Sequence, residues 1–220
     1  MMIDAIERGV GQILLDTEDS MIIQSVDFFL IHSTAKHEWP LIEDTLHKHY
    51  KLEVFAIFIA HDEWLIEPLV DTFGFTRVTP YLNGYVPSDL VLEEVNVEKL
   101  IIKPLTQDDH AFVRRVYQLI DSDEYIHERI DHGMIGAWYD GDLVGFAGEH
   151  DEGSMGMLEV IPEARGRGIA KALSNAMITK MRKENRQAYT NASPENIASV
   201  QLQKKMGFEV ADEPLYWLFK

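Results

Sequence analysis

Apolar residues in the C-terminal half recur with helix and strand periods in an ordered series. Ile169, Leu173, Ala176, Met177 and Met181 fall at helical spacing, which predicts a helix over 168–181 with one face on a sheet. Lys180, Arg182 and Lys183 close it at the end where cations suit the helix dipole. A short strand follows over 187–192. Ser193 then predicts a second helix, with Pro194 in its first position, a stripe of Ala198, Leu202 and Met206, and a left-handed stop at Gly207. Upstream, 100–105 reads as a strand, Asp108 or Asp109 as the cap of a helix through Val116, and 124–130 as another helix. Strands over 134–139 and 143–148 flank the hairpin signal Asp140-Gly141-Asp142, and 156–161 is a further strand. This order, β-α-α-β-β-β-α-β-α-β, predicts an α/β (α+β) fold with a mixed sheet.

The N-terminal half shows a partial echo. Residues 54–60 read as a buried strand and 61–72 as a helix with Trp64, Leu65, Pro68 and Leu69 inside, although Pro68 counts against a regular one. Gly74-Phe75 ends it, and 78–85 returns as a strand. Residues 28–32 and 41–50 suggest one more strand and helix. This repeats the strand, helix, Gly-Phe, strand order of 187–219. Two readings stay open: a divergent copy of the C-terminal fold, or a small helix–strand domain with a coincidental pattern. The turn-like Pro87-Ser88-Asp89 and the acidic run with Glu93, Glu94 and Glu98 place a boundary between Val86 and Lys99. The expected domains are 1–92 and 98–220.

Composition narrows the function. The chain has 220 residues and no cysteine, so disulfides and thiolate chemistry are excluded. A formal net charge of −17 argues against nucleic acid or an anionic membrane as the main partner. It suits a cationic substrate such as an amine, and equally simple solubility. The apolar runs are too short to span a bilayer and no charged-then-apolar leader is present, so a cytoplasmic location is expected.

The strand over 156–161 runs into Pro162-Glu163-Ala164-Arg165-Gly166-Arg167-Gly168-Ile169-Ala170, a glycine-rich, arginine-bearing turn that opens a helix. Such a turn aims backbone amides and the positive helix end at an anion. It is not a Walker loop, and Lys171 stands where a dinucleotide fingerprint needs its third glycine. Arg165-x-x-Gly168-x-Ala170 resembles the acetyl-CoA pyrophosphate loop, Arg/Gln-x-x-Gly-x-Gly/Ala, of the GNAT superfamily of N-acetyltransferases. The segment Asn196 to Phe208, with Asn196, Ser199 and Gly207-Phe208, resembles the second signature of that superfamily. The resemblance covers roughly residues 98–220.

The resemblance implies a GNAT-like, mostly antiparallel mixed sheet flanked by helices, with acetyl-CoA as donor and a primary amine as acceptor. It implies that the strand backbone at Leu158, Glu159 and Val160 meets the pantetheine arm, with the Val160 amide polarising the thioester carbonyl. Amides and charges of Arg165, Gly166, Arg167, Gly168, Ile169 and Ala170 would hold the pyrophosphate, and Asn191, Asn196 and Ser199 would lie along the cofactor. An alkylamine is mostly protonated at neutral pH, so attack needs a base. Glu149, at the end of the 143–148 strand, is the leading candidate, with His150 and Glu159 behind it. The tyrosine that this superfamily places near the departing thiolate falls here at Gln203, leaving water or another tyrosine such as Tyr216. No metal site is expected: in His127-Glu128-Arg129-Ile130-Asp131-His132 the second histidine comes one residue too late for a zinc-binding helix. The expected function is acetyl transfer to an amine of a small molecule or peptide. The alternative is a CoA-binding sensor or scaffold without turnover. The chain is expected to act as a monomer or homodimer.

Overall fold

The computed structural model describes residues 1–51 and 56–220. In chain order the elements are α1 (Met2–Glu7), β1 (Gly11–Asp16), β2 (Ser20–Ser25), β3 (Phe28–Ser33), α2 (Trp39–His49), β4 (Ile57–Ala60), α3 (Ile66–Phe73), β5 (Arg77–Tyr85), β6 (Leu100–Pro104), α4 (His110–Val116), α5 (Asp123–Asp131), β7 (Ile135–Tyr139), β8 (Asp142–Glu149), β9 (Met155–Val160), α6 (Ile169–Lys183), β10 (Tyr189–Ala192), α7 (Ile197–Lys205), β11 (Glu209–Val210) and β12 (Leu215–Phe219). Val54 and Phe55, placed in a strand by their apolar run, lie outside the described residues. The contacts divide the chain into two compact units. Unit 1 holds Met1–Gly84, Ala192–Val200 and Val210–Lys220, and unit 2 holds Tyr85–Asn191 and Gln201–Glu209. No helix among the described residues is long and apolar enough to cross a membrane.

Unit 1 is built on strands in the order β1-β2-β3-β4-β12-β5. The first three form an antiparallel meander, β4 runs parallel to β3, and β12 lies antiparallel between β4 and β5. The run of apolar residues in β3 has a reason: Phe29 and Ile31 enter one core cluster with Leu46 and Phe58, while Phe28 and Leu30 enter another with Ile23 and Ile59. A strand buried on both faces shows no alternation. Pro68 is accommodated because α3 begins only at Ile66, after a 3-10 turn over Glu63–Leu65. In the first turn of a helix a missing amide hydrogen costs no bond. Gly74 closes α3 in the left-handed region, at φ 70°.

Unit 2 has strand order β10-β9-β8-β7-β6. Strands β6 to β9 are antiparallel neighbours and β10 runs parallel to β9. Asp140 and Gly141 turn the β7–β8 hairpin with φ 54° and 96°, the two positive values that a two-residue turn requires. Helices α4 and α5 cover the sheet through Val113, Tyr117, Ile126 and Ile130, packed with Phe146 and Met157. Helix α6 packs on β8 and β9 and buries Ile169, Leu173, Met177 and Met181.

Two caps differ from expectation. Asp109 stands at the N-cap of α4, as expected, but its side chain caps no α4 amide: it accepts the Thr106 amide at 2.9 Å, in a reciprocal box over the 3-10 turn Gln107–Asp109. Helix α7 starts after Asn196, not Ser193: residues 193–196 form a turn, and the Asn196 side chain accepts the Ser199 amide at 3.1 Å. An Asn carbonyl at the cap satisfies an amide that Ser193 is too far back to reach.

Candidate active site

The glycine-rich loop lies within unit 2, between β9 and α6. After Val160 the chain makes a 3-10 turn over Pro162–Ala164, then passes Gly166 and Gly168 at φ 76° and 84° into α6. Side-chain-bearing residues rarely adopt these angles, so the glycines fix the loop's path. Gly168 caps α6 with no side chain. The first-turn amides that follow it have no partner within the helix, as at any helix start. Arg165, Gly166, Arg167 and Gly168 are exposed, Ile169 is buried and Ala170 is half-buried. Arg165 turns back and donates from Nε to the Val160 carbonyl at 2.8 Å. Arg167 lies over the Tyr139 ring, 5.2 Å from its centroid.

Strand β9 departs from regular geometry just ahead of this loop. Its register against β8 shifts between Phe146–Glu159 and Gly148–Gly156, which inserts one extra residue in β9. Met157 takes up the distortion at φ 48°. No pattern in the sequence announces this bulge. Past it, Val160 stands opposite Gly145, and the next amide, Ile161, donates to the Val144 carbonyl at 2.9 Å. Antiparallel ladder bonds alternate, so the Val160 amide and carbonyl point away from β8, toward the side on which β10 runs. Among the described residues β9 and β10 are in register at one pair only, Met155 with Thr190. Among the described residues no β10 residue is in register with Gly156 to Val160, and this break in the pairing, which leads along β9 into the loop, is termed the slot.

Unit 1 treats the same topology differently. Its parallel strands β3 and β4 stay paired over Phe28–Ile31 and Ile57–Ala60. Carboxylates from three loops lie near the turn after β3. Asp62 accepts the Ser33 amide at 2.8 Å, Glu38 accepts the Thr17 hydroxyl at 2.8 Å, and ligand atoms of Asp19, His37 and Glu38 lie within 4.8 Å of one another.

The carboxylates expected to act as bases have unlike surroundings. Glu149 is enclosed by Lys180, whose Nζ lies 2.9 Å from one oxygen, and by Arg186, whose Nη1 lies 2.6 Å from the other. Burial works to raise its pKa, but the Lys180 hydrogen bond and the Arg186 charge prevail and hold it below the ordinary value. Glu159 is half-buried beside Phe146 in the sheet register, hence on the face covered by α4 and α5. Burial raises its pKa against the opposing charge of Arg165. His150 receives or gives a hydrogen bond at Nδ1 with the Tyr125 hydroxyl, 2.9 Å away, and its ring lies against Gly156. Asn191 donates to Glu152 at 3.3 Å, and Leu158 is half-buried. Asn196 and Ser199 fall in unit 1, where they form the α7 cap described above. Gln203 is buried, and Tyr216 lies on β12 in unit 1.

The comparisons with known proteins agree with this fold. No curated protein matches the chain. Among solved structures, a Drosophila protein from a structural genomics programme gives a TM-score of 0.73 at 17% identity, covering 91% of this chain and 74% of its own. A GCN5-related N-acetyltransferase-like protein from Streptococcus suis gives 0.57 at 13% identity, with 98% and 90% covered. A tandem GNAT protein from the clavulanic acid biosynthesis pathway gives 0.51 at 13%, with 95% and 83% covered. At these identities the likeness is one of fold, and the alignments span both halves of the chain. Residues 101–208 match the family profile described as Acetyltransferase (GNAT) family. Residues 101–208 are thus a GNAT acetyltransferase domain.

Proposed function

We propose that unit 2 is an acetyl-CoA-dependent N-acyltransferase acting on a primary amine of a small molecule or peptide. The observation that carries this reading is the slot between β9 and β10, bordered by the Val160 amide and leading into the glycine loop. The amides of Arg167, Gly168, Ile169 and Ala170 hold the pyrophosphate, with the α6 dipole and Arg165 adding charge. The pantetheine arm follows the β9 backbone past Leu158. The thioester carbonyl then accepts from the Val160 amide, which is held in orientation by the β8 ladder and by Arg165 on its own carbonyl.

The base in this proposal is Glu159 rather than Glu149. A carboxylate clasped by two cations binds a proton weakly, whereas a desolvated one with a raised pKa is closer to what proton removal needs. Glu159 takes a proton from the bound ammonium. The freed amine nitrogen attacks the thioester carbon, the carbon–sulfur bond breaks, and the second proton that the nitrogen must lose to become the amide passes through water to the departing CoA thiolate. Unit 1 is a divergent copy that takes no CoA, because its strands remain paired and its turn is acidic. A sensor without turnover is favoured only by the buried Gln203 in the usual tyrosine position.

The test is calorimetric titration of the chain with acetyl-CoA, followed by thiol release with a panel of amines. One site per chain and amine-dependent release are expected. Gly168→Asp sets a carboxylate on a positive-φ position against the phosphates and is expected to abolish binding. Unchanged affinity in that variant rejects the loop assignment, and tight binding without thiol release selects the sensor.

A further inference from the structure

The segment between β5 and β6 has no regular secondary structure over residues 91–97, yet it is tied to the exposed side of α6 at several points, all inside unit 2. The Glu93 carboxylate pairs with Lys171 Nζ, and the Asn175 side-chain amide donates to the Glu93 carbonyl at 2.9 Å. Val95 and Val97 lie against Gly168: a Cβ there would stand 3.5 Å and 3.6 Å from their methyl groups. A groove of about 740 Å³ runs beside this contact, lined by Leu92, Glu93, Asn175, Thr179 and Lys183 among others. Glu93 itself is mostly exposed, and its pKa lies below the ordinary value through its hydrogen bond to Lys171.

Lys171 directly follows the loop residues Gly168, Ile169 and Ala170. A phosphate held by the amides there lies within reach of its flexible side chain. We infer that residues 91–97 form a strap in which Glu93 stands in for a phosphate at Lys171, so that CoA must displace an internal carboxylate to engage that lysine. The inference rests on the reading of the loop as a CoA site. Its physical content is competition: the ion pair formed with the ligand replaces one already present, which weakens CoA binding and makes it less sensitive to salt than the loop alone would be.

The experiment compares CoA with pantetheine, which lacks the phosphates, on the full chain and on Glu93→Gln, Lys171→Gln and the double variant. Because the pair is exposed, Glu93→Gln is expected to tighten CoA by about two- to fivefold. It is expected to steepen the loss of affinity with salt and to leave pantetheine unchanged. The gain is expected to vanish in the Lys171→Gln background, where there is nothing left to compete for. Asn175→Ala, which releases the strap backbone and leaves both charges, is expected to tighten CoA in the same direction. Unchanged CoA affinity in Glu93→Gln, an equal gain with pantetheine, or a gain that survives loss of Lys171 each overturns the strap. Failure of the unaltered chain and of every variant to bind CoA is a different result: it rejects the CoA site itself.

Discussion

Glu149 and Glu159 belong to adjacent strands of one sheet, and their neighbours send their acidities in opposite directions. Lys180 and Arg186 keep Glu149 ionised, whereas partial burial makes Glu159 the stronger base. The difference gives a paired prediction. If Glu159 is the base, kcat/KM rises with pH through its raised pKa, because only the carboxylate accepts the ammonium proton. Glu159→Gln is expected to lower kcat by about 100-fold or more and to abolish that limb. Glu149→Gln is expected to keep the limb and to cost about 1–3 kcal/mol of stability, because two cations lose their partner. The stabilisation from Glu149 is full above its ordinary value of 4.5 and fades as pH falls through its depressed folded value, so the acid side of a urea-midpoint profile should flatten in that variant. A Glu149→Gln enzyme that loses the kinetic limb and keeps its urea midpoint reverses the assignment. Sequence position alone favoured Glu149, since it ends a strand near the site, but the lysine and arginine that disarm it come from α6 and the segment before β10. No local pattern brings those three together.

At the scale of elements, the slot depends on how closely β8 approaches the distorted β9. A Cβ on Gly145 would stand 2.6 Å from the Glu159 carbonyl and 3.1 Å from a Val160 methyl. Gly145→Ala must therefore push β9 outward where its amide is meant to meet the thioester. The expected cost is about 1–3 kcal/mol in stability. A misplaced oxyanion donor is expected to add a kcat loss of about 10-fold or more. A thermal melt and steady-state kinetics check both, and a stable variant with full kcat removes Val160 from the mechanism. Most of this frame was legible in the sequence. Helical spacing located α6, Asp140-Gly141 located the hairpin, and Gly166 and Gly168 located the loop. The bulge was not legible, because Met157 adopts a left-handed angle that nothing in its identity foretells. The β1–β2 hairpin also escaped: β1 mixes exposed and half-buried residues and shifts register between Ile13 and Leu15, so it lacks a clean alternation.

At the scale of the whole chain, the same motif occurs twice with different outcomes. In each unit an antiparallel meander passes through a helix to a parallel strand, β3 through α2 to β4 and β9 through α6 to β10. The echo of Gly74-Phe75 in Gly207-Phe208 hinted at this repeat, but the partner of the last strand was hidden from sequence. Strand pairing at long separation leaves no local mark. β12 pairs with β4 through Tyr216–Ala60 to Leu218–Phe58, and with β5 through Leu215–Tyr81 to Phe219–Arg77. It is thus the element that joins β4 to β5, and it buries Leu215 and Leu218 in unit 1. A chain ending at residue 210 is expected to lose about 1.5–3 kcal/mol for each of these side chains. It also loses the ladder bonds on one edge of β4 and β5. Hydrogen exchange should then show protection falling in β4 and β5 while β7 and β8 remain protected, and acetyl-CoA should still bind at one site, because the loop and slot belong to unit 2. Unchanged protection in β4 and β5 would refute the role of β12. Loss of acetyl-CoA binding with β7 and β8 still protected would mean that the loop and slot of unit 2 do not suffice for the donor.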